Sequence, residues 1–274
     1  MISFVGAGPG APDLLTVRAS ERLAAADVVV WAASLIREEA LAGCRGDVVL
    51  HDSAGMTLEQ VVGVFEDHPG AAIVRLHSGD PTVYSAVAEQ IDWCRRHGRD
   101  YEIVPGVSSV SATAAAVGRE LTVPGVAQTV VLTRLADRTA ASVPEGESVA
   151  EMARRGATMA LYLSAGRPDA LRAELLCEGS AYTTATPVVL AYRVSWPEQR
   201  IVLSTVGGLV DDLAALGQTM SVMILVGAAL ADAEVPARSH VYSGGYSHSY
   251  RDSHSYRDAA GAPGIVPGPR PWKR

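Results

Sequence analysis

The chain has 274 residues, 48% of them hydrophobic and 19% charged, which fits one large or two modest globular domains. Its net charge of −7 argues against a nucleic-acid partner, and its longest apolar stretch, "MSVMILVGAALA" from Met220, is too short and interrupted to span a bilayer. Three dispersed cysteines, Cys44, Cys94 and Cys177, make neither a disulfide framework nor a zinc site.

The first 120 residues alternate between two periods. "ISFVGA", "DVVVWA", "DVVL", "AAIVRLH" and "YEIV" are short, β-branched runs suited to buried strands. Helical patterns lie between them. Thr57 to Gln60 is a capping box, and Val83, Val87, Ile91 and Cys94 are spaced to form one apolar helix face. The alternation predicts an α/β fold with a parallel, doubly wound sheet over residues 1–119. The pattern breaks at "GRELTVPG". It restarts with "QTVVLTR", a second capping box from Ser148 to Glu151, then "ATMALYLS", "PVVLAYRV", "RIVLST" and "SVMILVG". The turn "SWPEQ" joins two of these runs as a hairpin, so residues 120–230 are expected to form a mixed-sheet α/β domain. Residues 231–274 read as an extension and disordered tail. It carries "SHSYRD" twice in succession from Ser247, then a segment rich in Pro and Gly.

Three loops follow strands of the first half, and in a parallel sheet such loops converge at the carboxyl edge. "GAGPGAP" matches the dinucleotide fingerprint at Gly6, Gly8 and Ala11. It departs from it where Pro9 stiffens the turn and Pro12 and Asp13 delay the helix that should face a pyrophosphate. Asp27, at a plausible distance for a ribose contact, precedes its strand instead of ending it. In "HSGDPTVY", Gly79 permits close backbone approach, and Asp80 either holds a ligand or caps a helix. In "PGVSSVSA", Ser108 and Ser109 begin a helix, where capping competes with a binding role. No Walker, H-E-x-x-H or Ser-His-Asp pattern occurs, and no metal ligand set is expected. Among the scattered histidines, His77 stands out because it enters the loop of Asp80.

In this order, "VGAGPGAPDLLT", "RLHSGDPTVY" and "PGVSS" resemble the tetrapyrrole methylases. The second-half blocks "RELTVPGVAQTVVLTRLADRT", "ATMALYLS", "SWPEQRI" and "RSHVY" resemble the branch that methylates C11 of precorrin-4 in cobalamin biosynthesis. The resemblance runs from Met1 to about Arg251. It implies an S-adenosylmethionine-dependent methyltransferase of two α/β domains with a cofactor cleft between them. Cofactor contacts would then fall on Pro9, Gly79, Asp80, Val83, Ser108 and Ser109, and on Leu163 and Val194 of the second half. Relatives more often carry Met at the first of these last two positions, and Gly or Ala at the second. The Gly-rich loop would border the macrocycle trough. Arg134 and Arg138, in the branch-specific block, would pair with substrate carboxylates unless they are plain surface arginines. His77 would lie near the substrate, and it or Asp80 could accept the released proton. The resemblance further implies a homodimer, and the cytoplasm is the expected compartment, since no basic stretch precedes the first apolar run to mark a signal peptide. Competing expectations are a methylase for another ring position, a NAD-binding oxidoreductase, and a non-catalytic tetrapyrrole carrier. The sequence does not separate precorrin-4 from its cobalt-bearing counterpart.

Overall fold

The computed structural model describes residues 1–136, 143–232 and 239. Residues 1–232 cluster as one compact unit built on two five-stranded sheets. The first sheet comprises β1 (Ile2–Gly6), β2 (Val28–Trp31), β3 (Val49–Asp52), β4 (Ile73–His77) and β5 (Tyr101–Val104). Every pairing in it is parallel, in the order β3-β2-β4-β1-β5. Its helices are α1 (Val17–Ala24), α2 (Leu58–Asp67), α3 (Val87–Arg96) and α4 (Ser109–Ala116). Both faces are covered. Val5, Val29, Val74 and Leu76 pack with Leu23 of α1, while Ile2, Phe4, Val28 and Ile73 pack with Phe65 of α2 and Trp93 of α3. That two-sided burial is why these strands read as unbroken apolar runs.

Local chemistry sets the helix starts. At α2 the capping box is complete, with Thr57 Oγ1 accepting from Gln60 N and Gln60 Oε1 accepting from Thr57 N. After β1 the chain makes a 3₁₀ turn at Pro12–Leu14, and α1 waits for its Thr16 cap. The N-terminus of α1 therefore does not adjoin the Gly-rich loop, as a dinucleotide turn would require. One expectation is corrected. Val83 is not on the α3 face, because α3 begins at Val87, and Tyr84 (φ 53°) and Ala86 (φ 49°) hold the left-handed conformation before it. Val83 points instead to the site described below.

The second sheet comprises β6 (Val130–Arg134), β7 (Thr158–Tyr162), β8 (Pro187–Tyr192), β9 (Arg200–Thr205) and β10 (Val222–Val226), in the order β6-β7-β10-β8-β9. It is mixed: β6 and β7 run parallel, and the remaining pairs are antiparallel, with β8 and β9 forming the expected hairpin. Helices α5 (Val149–Ala153), α6 (Pro168–Leu175) and α7 (Leu209–Leu216) cover one face through Val149, Leu171 and Leu209. The Ser148 cap of α5 forms only in part. Ser148 Oγ accepts from Glu151 N, while the Glu151 carboxylate turns to Arg154. The other face is covered by α4, whose Val110 and Ala112 pack with Ala160, Val189, Ala191 and Met223. A helix that belongs to the first half by sequence thus completes the core of the second. Arg138, the "SHSYRD" repeat and the tail lie outside the described residues.

Candidate active site

At the carboxyl edge of the first sheet, the loops after β4, β1 and β5 meet, and glycine makes the meeting possible. Gly8 and Gly79 exchange two backbone hydrogen bonds, N to O, of 3.2 and 2.7 Å. A Cβ on Gly106 would come within 2.2 Å of the Gly79 carbonyl oxygen and 2.8 Å of Gly6 Cα, both backbone atoms. Asp80 locks the junction. Its Oδ2 accepts from Gly106 N at 2.9 Å, and its Oδ1 accepts from Thr82 N at 2.8 Å and from the Thr82 hydroxyl. Burial raises the Asp80 carboxyl, but the hydrogen bonds from the Thr82 hydroxyl, Gly106 and Thr82 N together outweigh it and hold the pKa below the ordinary value.

The second sheet supplies the facing wall. Because β10 runs antiparallel to β7 and β8, its start lies beside their ends, with Val222 opposite Tyr192. The loop after β8 reaches across to the Gly-rich loop. Trp196 Nε1 donates to the Pro9 carbonyl at 2.9 Å, and Ala11 N donates to Ser195 Oγ at 3.0 Å. Gly10 (φ 152°) has to be glycine, since a Cβ there would lie 2.1 Å from the Trp196 ring. Ser108 caps α4 through Val110 N, and its hydroxyl also lies 2.9 Å from the Tyr162 hydroxyl at the end of β7. Tyr84 packs against Tyr162 with ring centroids 4.9 Å apart.

Between these walls is a cavity of about 390 Å³, within the usual range for small-ligand sites. All eight residues expected at a cofactor line it: Pro9, Gly79, Asp80, Val83, Ser108, Ser109, Leu163 and Val194. Four non-glycine residues on its walls, Tyr84, Leu163, Arg193 and Ser221, sit at φ between 45° and 57°. Such conformations cost about 1–3 kcal/mol each and concentrate at functional sites. At Gly79 (φ 65°) a Cβ would find nothing nearer than Ser109 N at 4.0 Å, so its absence leaves open space within the cavity.

Two other expected residues lie elsewhere. His77 ends β4, is 6% exposed, and does not line the cavity. Burial, with the nearby Arg75 charge, pushes its pKa down to about 3, so the imidazole is neutral and weakly basic. Arg134 ends β6 opposite Tyr162, close enough for its charge to act on the Tyr84 phenol, but it is not part of the cavity wall. Asp27, the weighed ribose ligand, holds Ala72 N at 2.8 Å and Arg45 at 3.0 Å, a structural role. Sequence reasoning missed Tyr84, Tyr162, Arg193 and Trp196. A Trp inside a hairpin turn was the available signal for the last of these. Among the described residues there is no group of three or more His, Cys, Asp or Glu placed to hold a metal, and no helix long and apolar enough to cross a membrane.

The model of the Tetrapyrrole (Corrin/Porphyrin) Methylases matches residues 1–210. The chain is 41% identical to the cobalt-precorrin-4 C(11)-methyltransferase of Priestia megaterium, over 90% of this chain and 96% of that one. It is 40% identical to the precorrin-4 C(11)-methyltransferase of Rhodococcus erythropolis, over 88% and 96%. The X-ray structure of a cobalamin biosynthetic enzyme, cobalt precorrin-4 methyltransferase, superposes with a TM-score of 0.79 at 42% identity, covering 84% of this chain and 95% of that one. The uroporphyrin-III C-methyltransferase of Thermus thermophilus, complexed with S-adenosylhomocysteine, gives 0.67 at 27% identity, covering 84% and 98%. With a family model over most of its length and relatives of this similarity, the chain belongs to the tetrapyrrole (corrin/porphyrin) methylases.

Proposed function

We propose that the protein transfers a methyl group from S-adenosylmethionine to C11 of precorrin-4, cobalt-bearing or cobalt-free, giving the corresponding precorrin-5. The observation that carries this reading is the cavity at the carboxyl edge of the parallel sheet, lined by all eight residues that the family resemblance assigns to the cofactor. Its chemistry suits the group: open space at Gly79, hydroxyls at Ser108 and Ser109, apolar walls at Val83, Leu163 and Val194, and an ionised carboxylate at Asp80. S-adenosylmethionine brings a methyl group on a positively charged sulfur that is already electrophilic.

The chain's own work is then to orient and to exclude water. The junction of Gly8, Gly79 and Gly106 fixes one wall, and the Trp196–Pro9 and Ser108–Tyr162 hydrogen bonds hold the second wall against it. Such fixed geometry supplies proximity without an activated side-chain nucleophile. Neither His77 nor Asp80 is tuned as a strong base, since both have pKa values below their ordinary ones. Neither is therefore suited to take up the proton released from the macrocycle. The reading extends to a cytoplasmic homodimer, and light scattering on purified protein would check the dimer.

Calorimetric titration with S-adenosylhomocysteine, with NAD and NADPH in parallel, is the first experiment. Saturable binding of S-adenosylhomocysteine alone, followed by a singly methylated product from precorrin-4, is the expected outcome. Binding of a nicotinamide cofactor instead would restore the oxidoreductase reading.

A further inference from the structure

The loop that seats on Pro9 carries cations for which the chemistry above has no use. The Arg193 guanidinium lies 4.8 Å from the centroid of the Trp196 ring and 5.4 Å from that of Tyr192. Arg200 lies over Tyr192 at 5.1 Å, and Arg37 over Trp196 at 5.9 Å. Three guanidiniums thus share two rings, and among the described residues only Arg37 of the three has a carboxylate partner, Glu39. Among the described residues no ion pair or hydrogen bond engages the guanidinium of Arg193 or Arg200, and Glu198 of the same turn pairs with neither. A guanidinium held by such cation–π contacts keeps N–H donors for another partner, and their planar fork matches a carboxylate.

Position narrows the ligand. Arg193 is part of the cavity wall, is held there by its backbone hydrogen bond to the Ser221 carbonyl at 2.9 Å, and keeps a left-handed conformation (φ 45°). The cavity lining also includes the exposed apolar side chains of Leu35, Leu163 and Met220, at 48%, 78% and 77%. A ring system larger than the cavity would find apolar surface there. We propose that Arg193, supported by Arg200, is a carboxylate-recognition site at the cavity mouth that pairs with a side-chain carboxylate of the tetrapyrrole. The assignment rests on the methyltransferase reading of the same cavity. Two uncompensated cations suit the plain carboxylate arms of the macrocycle. They suit less well the amino-acid end of the cofactor, whose own ammonium they would repel.

Steady-state methyl transfer by the full-length protein, at saturating S-adenosylmethionine, tests this with Arg193→Gln, Arg193→Lys and Arg200→Gln. Arg193→Gln should raise KM for precorrin-4 roughly ten- to a hundredfold, with kcat within about threefold and S-adenosylhomocysteine affinity within about twofold. Arg193→Lys keeps the charge but loses the planar fork, and should fall between the two. Should Arg193→Gln fail to fold, exposed Arg200→Gln carries the test, with a KM raised about three- to tenfold. Weakened S-adenosylhomocysteine binding with KM unchanged would overturn the proposal by giving the arginine to the cofactor, and so would no change in either quantity. A wild-type protein that binds no S-adenosylhomocysteine would instead strike the functional reading itself.

Discussion

Gly10 and Trp196, far apart in the sequence, compete for the same small volume. A Cβ at Gly10 would meet the indole at 2.1 Å, at a backbone φ of 152° that side chains avoid. Gly10→Ala should cost about 1–3 kcal/mol and weaken S-adenosylhomocysteine binding about tenfold or more, as read by denaturant titration and calorimetry. His77 gives a pH signature. Its folded pKa, about 3, lies below the ordinary 6.5, so the unfolded chain takes up a proton that the folded chain refuses. The stability this histidine contributes is complete above pH 6.5 and is lost as pH falls towards 3, at up to about 1.4 kcal/mol per unit. His77→Leu should flatten that slope between about pH 6 and 5 relative to wild type, where most carboxylates are still ionised. Equal slopes in the two proteins would mean that the imidazole titrates normally.

Elements with similar caps carry different duties. Thr57 caps α2 at the surface, in a box whose partner is Gln60. Ser108 caps α4 and also meets the Tyr162 hydroxyl across the cavity wall. Each substitution to Ala should cost about 1 kcal/mol of stability. Only Ser108→Ala should also weaken S-adenosylhomocysteine binding, so the pair separates a folding role from a ligand role in one calorimetric comparison. A like effect from Thr57→Ala would place the loss in general destabilisation. The sequence displayed both caps equally well, as hydroxyls at helix starts. It did not display which one faced a second sheet, because that depends on β7 ending beside α4. Val83 made the same point in reverse. Its spacing matched a helix face, yet the left-handed residues Tyr84 and Ala86 end the pattern and leave Val83 at the cavity.

Across the whole molecule, every described residue of the cavity wall falls between positions 9 and 223. A chain ending at residue 246, just before the "SHSYRD" repeat, should therefore bind S-adenosylhomocysteine with unchanged affinity. Saturation at a hundredfold excess over Kd should stabilise both forms by about 2.7 kcal/mol. Loss of binding in the shorter chain would give the repeat or the tail a part in the site.

The sequence by itself determined the alternation of strands and helices, the parallel first sheet, the hairpin of the second, and the loops that carry Gly79, Asp80 and Ser108. These follow from periodicity, glycine and capping hydroxyls, all of which are local. It also displayed why the Gly-rich loop is no dinucleotide turn, since Pro9, Pro12 and Asp13 act within their own neighbourhood. Only the tertiary structure decided that α4 completes the core of the second sheet, that Trp196 seats on Pro9, that Arg193 meets two aromatic rings at the cavity wall, and that His77 is buried away from it. Those outcomes depend on contacts between residues as much as 187 positions apart, whose energies arise only once both sheets have formed.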